Sequence, residues 1–262
     1  MIPFFRSFRR RRILAALSLD LTTWRRILER YPLFAGLDGS QQMALRRLAE
    51  IFLHEKRLDL TEGARLDGER RLLLAAVACL PVLELGLDPY DNWQTLIVYP
   101  RTFVPRRSET DEAGVVHPIG PRVGEAWPHG PVLVSWRDLE RDLAGDWDYA
   151  MNVVIHEMCH QLDHGNGGFD GMPALPSEIA PSRWIRVFSE AFARLEQAEK
   201  RREETFLDPY ALEAPAEFFA VACETFFMAP EDLKEGYPEV YELLKRYFRQ
   251  DPWTRMQEGG RR

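Results

Sequence analysis

Cysteine is scarce in this 262-residue chain: Cys79, Cys159 and Cys223 make an odd number, each set in an apolar stretch. That argues against a disulfide framework and reads as buried free thiols in a reducing compartment, so a cytoplasmic location is expected. No apolar run approaches the ~20 residues a helix needs to cross a bilayer, so a soluble protein without a transmembrane segment is expected. Positive charge is not in excess either. The formal net charge of −7 gives no general attraction to nucleic acid, and no direct nucleic-acid partner is expected. Internal repeats and long low-complexity tracts are absent, and 45% hydrophobic with 29% charged residues is the composition of a chain that folds.

What is present begins with a local exception to the acidic balance, "RSFRRRR" from Arg6 to Arg12. The apolar "ILAALSL" that follows starts as a secretion signal would, but Asp20 and "TTWRR" break it. The run is read as an exposed arm with affinity for anionic surfaces. Residues 1–30 are taken as this arm with a first helix, 31–255 as a single domain, and 256–262 as a loose tail.

Within the domain, "DGSQQMALRRLAEIFLHEK" places Met43, Leu45, Leu48, Ala49 and Phe52 at helical spacing behind a capping cluster. "GERRLLLAAVACLPVLELG" is a buried helix interrupted at Pro81. The middle third changes period: "QTLIVYP" and "GPVLVSW" are short β-branched strands, with "VVHPIG" a further short one between them. Helices then return, among them the amphipathic "PSRWIRVFSEAFARLEQAEKRREE" and "APAEFFAVACETFFM", where Pro215 sits at a helix start. Helices, then strands, then helices imply an α+β fold, mostly helical, with a small sheet.

The chemistry is concentrated in "MNVVIHEMCHQLDHGNG". In a helix His156 and His160 lie on one face, four residues apart, and both can aim a ring nitrogen at one ion, with Glu157 beside it. A hydrolytic zinc site takes three protein ligands and lowers the pKa of a water, from which a nearby carboxylate removes a proton. By chance alone such a spacing occurs in roughly one chain of this size in a hundred. The apolar "MNVVI" before it would bury the helix, and a buried helix does not carry two histidines and a glutamate unless something satisfies them. Asp163, three residues beyond His160, lies on that face, either as an acceptor for a ligand histidine or as a structural carboxylate.

A third ligand must come from elsewhere. His164 does not fit the short spacing of a three-histidine pattern, so a downstream carboxylate is favoured among Glu178, Glu190, Glu213, Glu217 and Glu224. Glu178 and Glu190 belong to a polar, solvated face. Glu217 follows Pro215 in the first turn of an otherwise apolar helix. Glu224, seven residues on, shares its face, as a partner of the site or as an ordinary satisfied core carboxylate.

Taken together, "VIHEMCHQLDHGNG", "DPYALEAPAEFFAVACETFF", "CLPVLELGLDPYDNWQTLIVYP", "GPVLVSW" and "RYFRQDP" resemble the Mlc titration factor A family of bacterial zinc peptidases, over about Leu33 to Pro252. The resemblance implies zinc ligands His156, His160 and Glu217, Glu157 as general base, Tyr210 as a catalytic tyrosine, and a zincin-like core similar to that of anthrax lethal factor. On the residues alone, Tyr210 is equally a capping aromatic or a donor to an oxyanion. The arginine-rich N-terminus matches none of the family blocks. In zincins an edge strand beside the motif helix pairs with extended substrate; "GPVLVSW" is either that edge or an ordinary core strand.

The expected function is a zinc-dependent peptidase with one Zn²⁺ per chain, aminopeptidase-like by resemblance, acting on peptide substrate. A transcriptional repressor is the partner the resemblance implies. The rival reading is a non-catalytic protein that sequesters a transcription factor. A purely structural zinc is disfavoured, since a base beside an open coordination position serves no closed site.

Overall fold

The computed structural model describes residues 3–16, 21–101, 108–110, 116–118, 124–126, 130–145 and 150–259. The chain opens with α1 (Pro3–Ala16), α2 (Leu21–Arg30) and α3 (Gly39–Glu55). Asp38 caps α3 by accepting from the Ser40 and Gln41 amides, and the Gln41 side chain returns to the Asp38 amide, a reciprocal capping box. The helix therefore starts where the sequence places it. It leads into β1 (Arg57–Leu60), a four-residue strand too short to show an alternation in sequence, and then into α4 (Gly68–Cys79), which is buried from Leu72 onward.

After a 3₁₀ turn at Asp88–Tyr90 come β2 (Thr95–Tyr99), β3 (Ser108–Thr110), β4 (Val116–Pro118), β5 (Gly124–Ala126) and β6 (Val132–Ser135). The sheet order is β1-β2-β6-β5, parallel except for β5, while β3 and β4 pair separately as an antiparallel hairpin. The expected short strand in "VVHPIG" is β4. Strand β6 is not an edge: Val132, Leu133 and Val134 pair with β2 on one side and β5 on the other. That settles the open choice for "GPVLVSW" in favour of an interior strand, since its backbone groups are already paired. The edge lies one strand further out, at β5.

Helix α5 (Trp136–Ala144) follows β6 directly, then α6 (Val153–Asp163) carries the histidine motif. The C-terminal helices are α7 (Pro181–Arg201), α8 (Pro215–Met228), α9 (Pro230–Gly236), α10 (Pro238–Phe248) and α11 (Pro252–Gly259). Each of these five begins with proline, which lacks the N–H that a first helical turn cannot satisfy in any case. The result is an α+β, zincin-like fold, mostly helical, with a small mixed sheet against the motif helix.

Two apolar surfaces meet at α6: the sheet and α4 on one side, α8 on the other. Helix α8 is buried along almost its whole length. Its aromatic side chains pack against α7 and α10: Phe219 meets Trp184 at 5.9 Å and Phe218 meets Phe188 at 6.0 Å, while Phe226 packs on Phe248 at 5.6 Å and Tyr241 at 5.1 Å. Among the described residues no helix is long and apolar enough to cross a membrane.

Phe226 is fully buried among these rings, and truncating it leaves a cavity that rigid helices cannot collapse around. Phe226→Ala is expected to lower the unfolding free energy by about 3–5 kcal/mol in urea denaturation. A loss below about 1 kcal/mol would show that α8 is not the core element described.

Candidate metal centre

The N-terminus of α6 is fixed from three directions. Asn152 caps it by accepting from the Ile155 amide at 3.1 Å, Asp142 of α5 accepts from the Val153 amide at 2.8 Å, and Glu224 of α8 accepts from the Asn152 amide at 2.6 Å. Free amides at a helix start attract negative charge, so two buried carboxylates here are stabilising and set the angle of the helix.

One turn in, His156 lies between two carboxylates of α8. Its Nδ1 is 2.6 Å from Glu224 Oε1 and its Nε2 is 3.0 Å from Glu217 Oε2. His160 Nε2 stands 3.0 Å from His156 Nε2 and 3.3 Å from Glu217 Oε2. Two imidazole nitrogens and a carboxylate oxygen thus form a small triangle, and His156, His160 and Glu217 are a group that can hold a metal ion. Glu224 accepts the Nδ1 hydrogen, so Nε2 faces the triangle; while protonated it donates to Glu217, and on losing that proton it presents the lone pair a metal ligand needs.

The electrostatics call for positive charge at this point. Burial alone would push the His156 pKa down, but the carboxylates of Glu224 and Glu217 outweigh it and hold it well above the ordinary histidine value. Burial would raise the Glu217 carboxyl, but hydrogen bonds from His156 and His160 bring it below the usual carboxylate range. Without a metal the cluster retains a proton, and a bound cation would supply positive charge in its place. Deeply placed acids of this kind are sustained only by such pairing.

Glu157 is buried, 1% exposed, and its charge helps to raise His156. Tyr210, in the 3₁₀ turn Pro209–Leu212 that leads into α8, has its ring centroid 6.0 Å from that of His156. Asp208 fixes that turn by accepting from the Tyr210 amide at 2.9 Å. The structure thus brings together His156, His160 and Glu217, with Glu157 and Tyr210 around them. Glu178, Glu190 and Glu213 are exposed and take no part.

Of the two roles open to Asp163, the structure shows the structural one. Its Oδ2 accepts from the Gly171 amide at 3.0 Å, and the carboxylate that meets a site histidine is Glu224. The physical reason is the loop after α6, whose backbone needs an anchor. Gly171 has φ of 78°, and a Cβ there would stand 2.4 Å from the Pro215 carbonyl oxygen. This close approach ties the loop to the first turn of α8, the turn that carries Glu217. The sequence reading also missed Phe169, stacked on His164 at 4.9 Å and edge-on to His160 at 6.3 Å. An aromatic a few residues past such a motif was the only available signal.

The fold and this cluster define a class, the zincin-like metallopeptidases. The chain belongs to the family described as Glucose-regulated metallo-peptidase M90, whose model matches residues 5–249. The match begins inside α1, so the arginine-rich arm lies within the family's extent. Among its relatives, Mlc titration factor A of Escherichia coli O9:H4 (strain HS) is 35% identical over 86% of this chain and 85% of that protein. Mlc titration factor A of Pectobacterium atrosepticum is 34% identical over 86% and 85%. A Synechocystis sp. relative, Uncharacterized protein slr2042, is 34% identical over 87% and 84%.

Asp163 carries a pH signature. Burial, with the charge of Asp170, pushes its carboxyl up to about 7 against the lowering effect of the Gly171 and Met172 amides. The folded chain therefore holds this proton more tightly than the unfolded chain, where an aspartate titrates near ~4, and stability is lost as pH rises from ~4 through ~7. In metal-free protein, Asp163→Asn is expected to gain on wild type by about 1–3 kcal/mol between pH 5 and pH 8 in thermal unfolding. An equal difference at both pH values would contradict the assignment.

Proposed function

We propose that the chain is a zinc-dependent peptidase in which His156, His160 and Glu217 hold the ion. The observation that supports this most is the size of the triangle. Ligands about 2.0–2.1 Å from a tetrahedral zinc lie about 3.3 Å apart, and the three edges here are 3.0, 3.0 and 3.3 Å. Two nitrogens and one oxygen also suit zinc by donor type, and a fourth position is left to water or substrate.

A divalent ion at this point would act as a Lewis acid, lowering the pKa of a water and polarising the scissile carbonyl. The chain's own groups do the rest. Glu157 takes the proton of the attacking water and passes it to the leaving amine. The Tyr210 phenol donates a hydrogen bond to the carbonyl oxygen as negative charge develops there. Glu224 keeps the His156 ring in one tautomer and one orientation. The aminopeptidase-like preference implied by the family asks for acids that hold a free amine. Asp88 and Asp91 line a cavity of about 640 Å³ beyond the end of α6, together with His164, but both already face the Arg10 guanidinium, at 2.7 and 3.8 Å, so neither is assigned that role.

A second reading has its own support. Relatives carry the name Mlc titration factor A, and a titration factor acts by binding. That name speaks for a binding partner, which the resemblance implies is a transcriptional repressor, more directly than for hydrolysis. The two readings share a scaffold and separate at Glu157.

The test is metal content, hydrolysis of a panel of aminoacyl and peptide chromogenic substrates, and repressor capture, on wild type and three variants. Glu157→Gln is expected to hold about one zinc per chain and to lose at least about 100-fold in kcat, and Glu217→Ala to lose the metal. Tyr210→Phe should keep zinc and lose about 10²–10³-fold in kcat. Wild-type hydrolysis by Glu157→Gln would sink the peptidase reading. Repressor capture that survives in a hydrolytically dead Glu157→Gln would establish titration in its own right.

A further inference from the structure

Charge is divided unevenly along this chain. Residues 1–30 contain eight arginines against Asp20 and Glu29, a net +6, whereas the whole chain stands at −7, which leaves −13 on the remainder. Neither the metal centre nor the peptidase reading uses this segment.

Helix α1 is fastened by one face only. The Arg10 guanidinium donates to Glu55 at 3.0–3.3 Å and to Asp88 at 2.7 Å, and Leu14 packs against the core. With Arg10, Ile13 and Leu14 turned inward, the helical period of about 100° per residue sends Phe8, Arg11, Arg12 and Ala15 to the opposite side. All four are exposed, Phe8 at 57%. Phe8 stands one turn before Arg11 and Arg12, and among the described residues neither arginine has an ion-pair partner. Helix α2 adds Leu21, 49% exposed, and the exposed Arg25.

We propose that α1 is an interfacial helix that lays its Phe8, Arg11 and Arg12 face on an anionic phospholipid bilayer. A guanidinium matches the phosphate of a headgroup with two parallel donors, and a phenyl group between two of them has a place to go at the headgroup boundary, where its ring leaves water. A cluster of four to eight basic residues on a helix is the composition that recognises such surfaces. A nucleic-acid duplex, whose bases are already stacked, would use the cations and leave the phenyl in water. At 14 residues α1 is about 21 Å long, enough to lie in the interface and too short to span it. The acidic remainder of the molecule is held away from the surface and screened beyond about 8 Å at physiological salt.

The experiment is co-sedimentation of the full chain with vesicles of equal parts phosphatidylglycerol and phosphatidylcholine, and with phosphatidylcholine alone, at low and physiological salt. Wild type is expected to bind the anionic vesicles, more weakly as salt rises, and not the neutral ones. The double variant Arg11→Ala/Arg12→Ala should partition about 25-fold less. Phe8→Ala should lose several-fold at unchanged charge, and both variants should keep the wild-type circular dichroism and melting temperature. The proposal is overturned by no binding to anionic vesicles, by equal binding to neutral ones, or by arginine variants that bind as wild type does. It is equally overturned if duplex DNA binds more tightly and strips the chain from vesicles. Salt-sensitive self-association through these arginines in light scattering would assign the face to a second copy instead.

Discussion

The site and the core depend on one imidazole held between two carboxylates. Glu217 and Glu224 are the only acids of α8, seven residues and therefore two turns apart on one face, separated by about 10 Å along the helix. His156 reaches both, Glu217 through Nε2 and Glu224 through Nδ1. Every other requirement follows from that clamp. An apolar helix can carry two acids into the interior only if they are paired, and the partner must come from α6 at one height and one rotation. His160, a turn further along, then falls into the same triangle without any further device.

The surroundings serve to keep α6 and α8 in that relation. The sheet gives α6 a flat apolar backing, and α5 delivers Asp142 to its first turn. Asp163 ties down the loop that carries Gly171, whose bare Cα lets it press on the start of α8. Trp184 of α7 donates to the Gly171 carbonyl at 2.9 Å, so the same loop is gripped from the far side as well. Stability and site geometry are thus bought with the same contacts, and a change at the loop is felt at Glu217.

Much of this was legible before any coordinates. The HExxH spacing, the apolar approach to it and Pro215 at a helix start place two histidines and one glutamate on buried helices by periodicity alone. Helix α3 was legible for a similar reason, since its capping box is a local pattern. The roles of Glu224 and Asp163 were not. Both share a face with site residues, and spacing says nothing about which carboxylate turns to a histidine and which to a backbone amide; that is decided by what packs opposite. The place of "GPVLVSW" in the sheet was open for a related reason: an interior strand and an edge strand have the same alternation, and only the neighbours differ. Strand β1 offered four residues at the end of a long helix, too few to show a period of two.

The two histidines and Glu217 are proposed to form a nitrogen and oxygen cage with an open position. The direct measurement is X-ray absorption at the zinc edge on protein loaded with one equivalent of metal. Zinc held by these three residues should show a shell of nitrogen and oxygen only, at about 2.0–2.1 Å, with the outer-shell scattering of two imidazoles. Cys159 adjoins His160 in sequence, which makes the opposite result definite: a sulfur scatterer at about 2.3 Å, or the scattering of a single imidazole, would contradict it.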